Sequence, residues 1–130
     1  MTGSSNDAAG IVDRFFGALL SGDQATCQAL FQDDGVVWHN YDQVEQPKAE
    51  ALAALAGVAS FNPRFELVGR DVIADGLVQR HAIHIALPQG GTASIHALQR
   101  ISIVDGRISR IDEYMDSAQL GAAMQALQAV

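Results

Sequence analysis

Hydrophobic and polar positions divide this chain into two regimes. From Asp7 to Leu20 the residues Ile11, Val12, Phe15, Phe16, Leu19 and Leu20 recur at helical spacing, which predicts a helix with one buried stripe. Ser21-Gly22-Asp23 stops it: Gly22 suits the position just past a helix end, and Asp23 can cap the next helix. That second helix, about 23–32, buries Ala25 or Thr26, Cys27, Leu30 and Phe31. A strand over 35–40 follows, then the polar loop Y-D-Q-V-E-Q. An alanine-rich helix over about 47–58 comes next, with Pro47 in its first turn. From Arg64 the period changes to two. Strands are predicted over 64–74, 77–87, 92–104 and 107–115, separated by the turn signals Asp75-Gly76, Pro88-Gln89-Gly90-Gly91 and Asp105-Gly106. A short helix from about Ser117 to Leu127, capped by Asp116, closes the pattern. Helices first and then an antiparallel meander specify an α+β fold rather than a doubly wound sheet. Residues 1–6 read as a loose tail. No repeat, linker or low-complexity segment interrupts the rest, so one domain over 1–130 is expected.

Composition narrows the function classes. With 130 residues, 48% of them apolar, the chain can bury a core without covalent staples. Fifteen acidic residues against eight basic ones give a net charge of −7, and no basic run occurs, which argues against a nucleic-acid partner. The single cysteine, Cys27, excludes an internal disulfide and lies on an apolar helix face, where it reads as a small buried hydrophobe. The first residues carry no secretory signal pattern, and the longest apolar-rich stretch, 49–59, is far short of the ~20 residues of a membrane span. A cytoplasmic protein with no membrane partner is expected.

Candidate chemistry starts at Asp33–Asn40, D-D-G-V-V-W-H-N, where a strand delivers Trp38, His39 and Asn40 in succession. An imidazole titrates near pH ~6.5, an indole supplies an apolar wall, and an amide can orient an oxygen. The triplet reads either as a pocket rim or as a core tryptophan followed by a fraying strand end. On 77–87, Arg80, Ala82, His84 and Ala86 share one face, while Gln79, His81, Ile83 and Ile85 share the other. Hydrophobicity turns Ile83 and Ile85 inward. On 92–104 the inward face reads as Ile95, Ala97, Gln99, Ile101 and Ile103, which leaves His96 outside. Glu113 shares a face with apolar Ile111 and Met115; it is either buried there or paired with Arg107 or Arg110 at the sheet edge. Four histidines without a ligand-spaced motif do not specify a metal site.

Three helices before a long curved sheet, with D-D-x-V-V-W-H on the first strand and D-G-R-I-S-R-I-D-E-Y-M-D on the last, resemble the NTF2-like superfamily over about residues 8–120. More narrowly, the chain resembles the branch of SnoaL-like polyketide cyclases, ketosteroid isomerases and limonene-epoxide-hydrolase-like enzymes. The resemblance implies a cone-shaped sheet closed by helices around a pocket. It places His39 where ketosteroid isomerases carry their base, Gln99 near their neutral acid, and Phe15 at their oxyanion-hole tyrosine. The A-L-P-x-G turn shared with epoxide hydrolases places Arg80 at a catalytic arginine, Ala82 and Glu113 at two aspartates, and Asn40 or His39 at the water-positioning asparagine. In SnoaL-like cyclases the acid/base carboxylate also falls on Glu113.

The resemblance turns Arg80 and His84 inward, against hydrophobicity, and with them the Arg80 face of that strand is expected to line the pocket. The expected site has His39, Glu113, Arg80, His84 and Asn40 as catalytic groups, with Trp38, Gln99, Phe15 and Tyr41 against the substrate. These residues would surround a cavity of roughly a few hundred Å³. The implied activity is acid–base catalysis without cofactor or metal on a small, mostly apolar organic molecule, of isomerase, cyclase, dehydratase/lyase or epoxide-hydrolase type. The alternative is a non-catalytic binding or assembly module on the same fold. The sheet's outer face, including His96, Leu98 and Arg100, is expected to form a homodimer.

Overall fold

Four helices and six strands follow one another in the computed structural model, which describes residues 5–128. Of the tail expected at 1–6, residues 1–4 lie outside the described residues, and helix α1 (Ser5–Ser21) takes up the rest. Gly22, at φ +81°, ends α1 in the left-handed conformation that suits glycine. The Asp23 carboxylate accepts the Thr26 backbone N–H at 3.2 Å and so caps α2 (Gln24–Leu30).

Strand β1 (Phe31–His39) begins four residues before the predicted start, because Phe31 is already extended and fully buried in the core. A short edge strand that the sequence did not announce, β2 (Glu45–Pro47), precedes α3 (Lys48–Ala59). Pro47 thus stands just before the helix rather than inside its first turn. Strands β3 (Arg64–Ile73), β4 (Gly76–Ala86), β5 (Thr92–Val104) and β6 (Arg107–Met115) form the predicted meander. Asp116 then caps α4 (Ser117–Gln128) by accepting the Gln119 N–H at 3.0 Å.

The sheet runs β2-β1-β6-β5-β4-β3. Every pairing is antiparallel except one: β1 lies parallel to β6, with His39 opposite Glu113. A parallel neighbour needs a long crossover, and here that crossover is α3 together with four strands, β2 to β5. The main core lies between α1, α2, α3 and the sheet around Val12, Phe15, Phe31, Leu77, Ile101 and Ile108. A smaller cluster, Ile85, Ile95 and Ala123, sits under α4. Among the described residues no helix is long and apolar enough to cross a membrane.

The β3–β4 turn has no room for a side chain. A Cβ on Gly76 would lie 1.9 Å from the backbone carbonyl oxygen of Ile101. Gly76→Ala is expected to destabilise the fold by about 1–3 kcal/mol, the usual range for overpacking. Gly10→Ala, in the exposed face of α1 with nothing within 4 Å of the added carbon, should stabilise it by roughly 1 kcal/mol through helix propensity. Urea unfolding of the two variants checks both signs.

Candidate functional site

Alternation along β1 sends Val37 and His39 to the helix-covered face and Val36 and Trp38 to the opposite one. The parallel register then sets His39 directly opposite Glu113 on β6, and Gln99 on β5 pairs with Glu113 from the other side. The outcome is a buried carboxylate with three donors. His39 Nε2 lies 3.0 Å from Glu113 Oε1, His81 Nε2 lies 3.4 Å from Oε2, and Gln99 Nε2 donates to Oε2 at 2.9 Å. With both Nε2 atoms turned to the carboxylate, the Nδ1 atoms of His39 and His81 are buried and have no partner.

Aromatic rings hold the two imidazoles in place. Tyr41 stacks on His39 with centroids 5.0 Å apart, and Phe65 stacks on His81 at 4.8 Å. Burial opposes the charge on Glu113, but hydrogen bonds from His39 and His81, and their positive charge when protonated, outweigh it. The carboxyl is held well below its usual 4.5, at about 2. Burial, then Asp42 and Glu113, push the Tyr41 phenol upward, so it stays a neutral donor.

These groups line one end of a cavity of about 130 Å³. Phe16, Leu19, Leu55 and Leu120 close it from the helices, and Phe65, Ile83 and Met115 from the sheet side. No lysine or arginine lines it. Among the described residues no group of histidine, cysteine and carboxylate side chains is placed to hold a metal ion. The two Nε2 atoms address different oxygens of the carboxylate rather than one shared point. A larger hollow of about 430 Å³ lies at the other side of the helices, beside Asp23, Cys27, Leu52 and Asn62. It lacks a paired acid and base, and burial pushes its one thiol, Cys27, further up.

The structure brings His39, Glu113, Gln99 and Tyr41 to one cavity and places the other expected residues elsewhere. Trp38 is on the outer face, edge-on to Tyr114 at 5.2 Å, since a strand cannot turn two consecutive side chains to one side. Arg80 is exposed on that face, and His84 is bonded there to Ser94 at 2.7 Å and Glu66 at 2.8 Å. The expected register of β4 is therefore corrected: Gln79, His81 and Ile83 face inward, as hydrophobicity alone had indicated. Asn40 spends its amide on the chain, donating to the Met115 carbonyl at 3.3 Å and accepting the Met115 N–H at 3.0 Å. Phe15 is fully buried in the core against Phe16 and Phe31, and Phe16 takes the cavity position instead. The cavity is smaller than expected because the stacked rings of Phe16 and Phe65, 5.3 Å apart, fill part of it. His81 is the residue that the sequence reading missed. His96 lies on the outer face, bonded to Gln119 at 3.0 Å.

A carboxyl with a depressed pKa stabilises the fold above its unfolded value and loses that contribution as pH falls through the folded value. Wild-type stability should therefore drop as pH falls from about 4.5 to about 2. Glu113→Gln should flatten the dependence in that window. Chemical denaturation at stepped pH reads the difference.

No curated protein matches the chain. Among solved structures, AclR, a candidate hydroxylase of Streptomyces galilaeus, superposes with a TM-score of 0.79 at 15% identity, covering 95% of this chain and 88% of its own. IdmH, a candidate polyketide cyclase of Streptomyces antibioticus, gives 0.77 at 18%, covering 88% and 98%. An NTF2-like protein of Burkholderia xenovorans gives 0.71 at 21%, covering 92% and 97%. Identities this low speak for the fold alone. The family model for the SnoaL-like domain matches residues 12–111, and the chain therefore belongs to the SnoaL-like family, on the NTF2-like fold.

Proposed function

We propose that this protein is a cofactor-independent acid–base enzyme acting on a small, uncharged, mostly apolar organic molecule in the 130 Å³ cavity. The observation that carries the reading is the His39–Glu113 pair, 3.0 Å apart at the end of an otherwise apolar pocket. Glu113, held charged, is a poor acid and a good orienting partner. It draws the His39 Nε2–H toward itself, which leaves the Nδ1 lone pair of the neutral ring as the proton acceptor. After accepting a proton the imidazolium is stabilised by the same carboxylate and can return the proton to a second atom of the substrate. His81 shares the carboxylate and offers a second Nδ1 of the same kind.

A cavity without lysine or arginine gives no counter-charge to a carboxylate or phosphate, which supports an uncharged substrate. The Tyr41 phenol and the remaining N–H of Gln99 are the donors available to an oxygen that gains charge. Isomerisation fits first, because it needs only proton removal and return. Cyclisation, dehydration or lysis, and epoxide opening follow in that order. Cyclisation, second in this ranking, is the activity named for one neighbour of the same fold, the candidate polyketide cyclase. A non-catalytic module on the same fold would be better served by a filled cavity or by a Glu113 tied to a surface arginine.

His39→Ala or Glu113→Gln should lower turnover by at least ~10²-fold, the low end for general acid–base groups. Candidate substrates are enones, epoxides, hydroxy-ketones and neutral aromatic fragments, tried one class at a time. Full activity in both variants on any substrate so found would end the acid–base assignment.

The same reading includes a homodimer through the outer sheet face, where Leu98 and Tyr114 remain 45% and 55% exposed beside Trp38. Light scattering at micromolar concentration should give twice the chain mass, and Leu98→Asp should give the monomer. A monomeric wild-type protein counts against this interface.

A further inference from the structure

The polar groups at Glu113 continue across the sheet, away from the cavity, in one line of directly paired residues. Glu113 on β6 faces Gln99 on β5, Gln99 faces Gln79 on β4, and Gln79 faces Arg70 on β3. Their side chains are bonded in the same order. Arg70 Nε and Nη2 donate to Gln79 Oε1 at 3.1 and 2.7 Å, Gln79 Nε2 donates to Gln99 Oε1 at 3.1 Å, and Gln99 Nε2 donates to Glu113 Oε2 at 2.9 Å. Arg70 also holds the exposed Asp13 of α1 at 2.8 Å. Gln79 and Gln99 are buried, 1% and 3% exposed, so neither amide can turn to water when a partner is lost.

A primary amide can be inserted into such a line in either direction, because it offers a donor on one arm and an acceptor on the other. A guanidinium only donates, and an ionised carboxylate only accepts. The two ends therefore fix the sense of both amides between them. Protonating Glu113 toward Gln99 would require Gln99 to turn its oxygen to the new O–H. Its NH₂ would then meet the NH₂ of Gln79, which in turn cannot reverse because Arg70 has no acceptor to give. Uncompensated donors in a buried site are costly.

The geometry points to Arg70 as a remote positioning residue of the site, which through Gln79 and Gln99 keeps Oε2 of Glu113 an acceptor, so favouring the ionised carboxylate, and holds its oxygens toward His39 and His81. This inference deepens the acid–base reading and rests on it for its functional meaning, but the lock itself is a property of the free protein. The titratable groups facing Glu113 are His39 from β1, Tyr41 from the following loop and His81 from β4. The helical side of the cavity is apolar.

The test is a carbon-13 NMR titration of the Glu113 side-chain carboxyl, together with the side-chain NH₂ signals of Gln79 and Gln99, in the substrate-free protein. Arg70→Met lets Gln79 reverse, and the Glu113 pKa should rise by roughly one pH unit or more, the equivalent of one hydrogen bond to a charged group. Gln79→Met cuts the line but keeps the arginine charge, so it should raise the pKa as well and separate the bonded lock from a through-space field. Arg70→Lys keeps a pure donor and should restore the wild-type titration. In wild type both amide signals should report hydrogen-bonded, slowly exchanging NH₂ groups, and Arg70→Met should lose this at Gln99, which Arg70 does not touch. An unchanged Glu113 titration in both Arg70→Met and Gln79→Met overturns the proposal. Since no substrate enters this experiment, its failure is distinct from a failure of the acid–base reading, which the turnover of His39→Ala decides separately.

Discussion

A single charge placed out of water organises this molecule. Glu113 is 4% exposed, and a carboxylate buried to that depth is tolerated only when hydrogen-bond donors surround it. Three donors reach its two oxygens, each from a different strand: His39 from β1, His81 from β4 and Gln99 from β5. Each is fixed by strand register, so the cost of burying the charge is met only when four strands are aligned correctly. A slip of one residue in β4 or β1 would turn a donor to the outer face and leave the carboxylate short of a partner. The polar group and the fold therefore specify one another.

Aliphatic and aromatic packing supplies the remainder. The α1 stripe is divided in use: Phe15 enters the central core while its neighbour Phe16 borders the cavity. The stacked run Phe16, Phe65 and His81 links a helix, β3 and β4 through flat surfaces at centroid distances of 5.3 and 4.8 Å. Such stacking fixes the plane of an imidazole that has only one hydrogen bond to hold it. Tyr41 does the same for His39 from the loop side.

Much of this was legible in the chain. The helix stripe, the Gly22 stop, the Asp23 and Asp116 caps and the meander boundaries come from local chemistry, and they appear close to where the pattern put them. Gln99 and Glu113 could be assigned inward because their strands alternate cleanly with isoleucines. Two placements failed for one reason. Trp38 and His39 are consecutive on a strand, and Arg80 and His84 stand opposite an isoleucine face; alternation had the answer in both cases, against the reading of the whole Trp38-His39-Asn40 triplet as a pocket rim in the first and against an alignment of catalytic positions in the second. His81 was visible on the Ile83 face, which an inward turn of Arg80 and His84 sends to the outside. Strand β2 and the parallel contact of β1 with β6 had no local signal, because both depend on where distant segments come to lie.

The parallel pairing of β1 with β6 has a consequence for how the protein is made. His39 emerges from synthesis early, but its partner is on the last strand, after α3 and the whole β3–β5 meander. Contacts so far apart in sequence carry a loop-closure cost and tend to form late. Until β6 docks, His39 has no Glu113 to bond, and the edges of β1 and β5 that β6 will occupy are open to pairing with other chains. Closure of that gap seals the sheet and brings His39 to Glu113 in one event, so an unfinished chain carries neither a continuous sheet nor the buried pair.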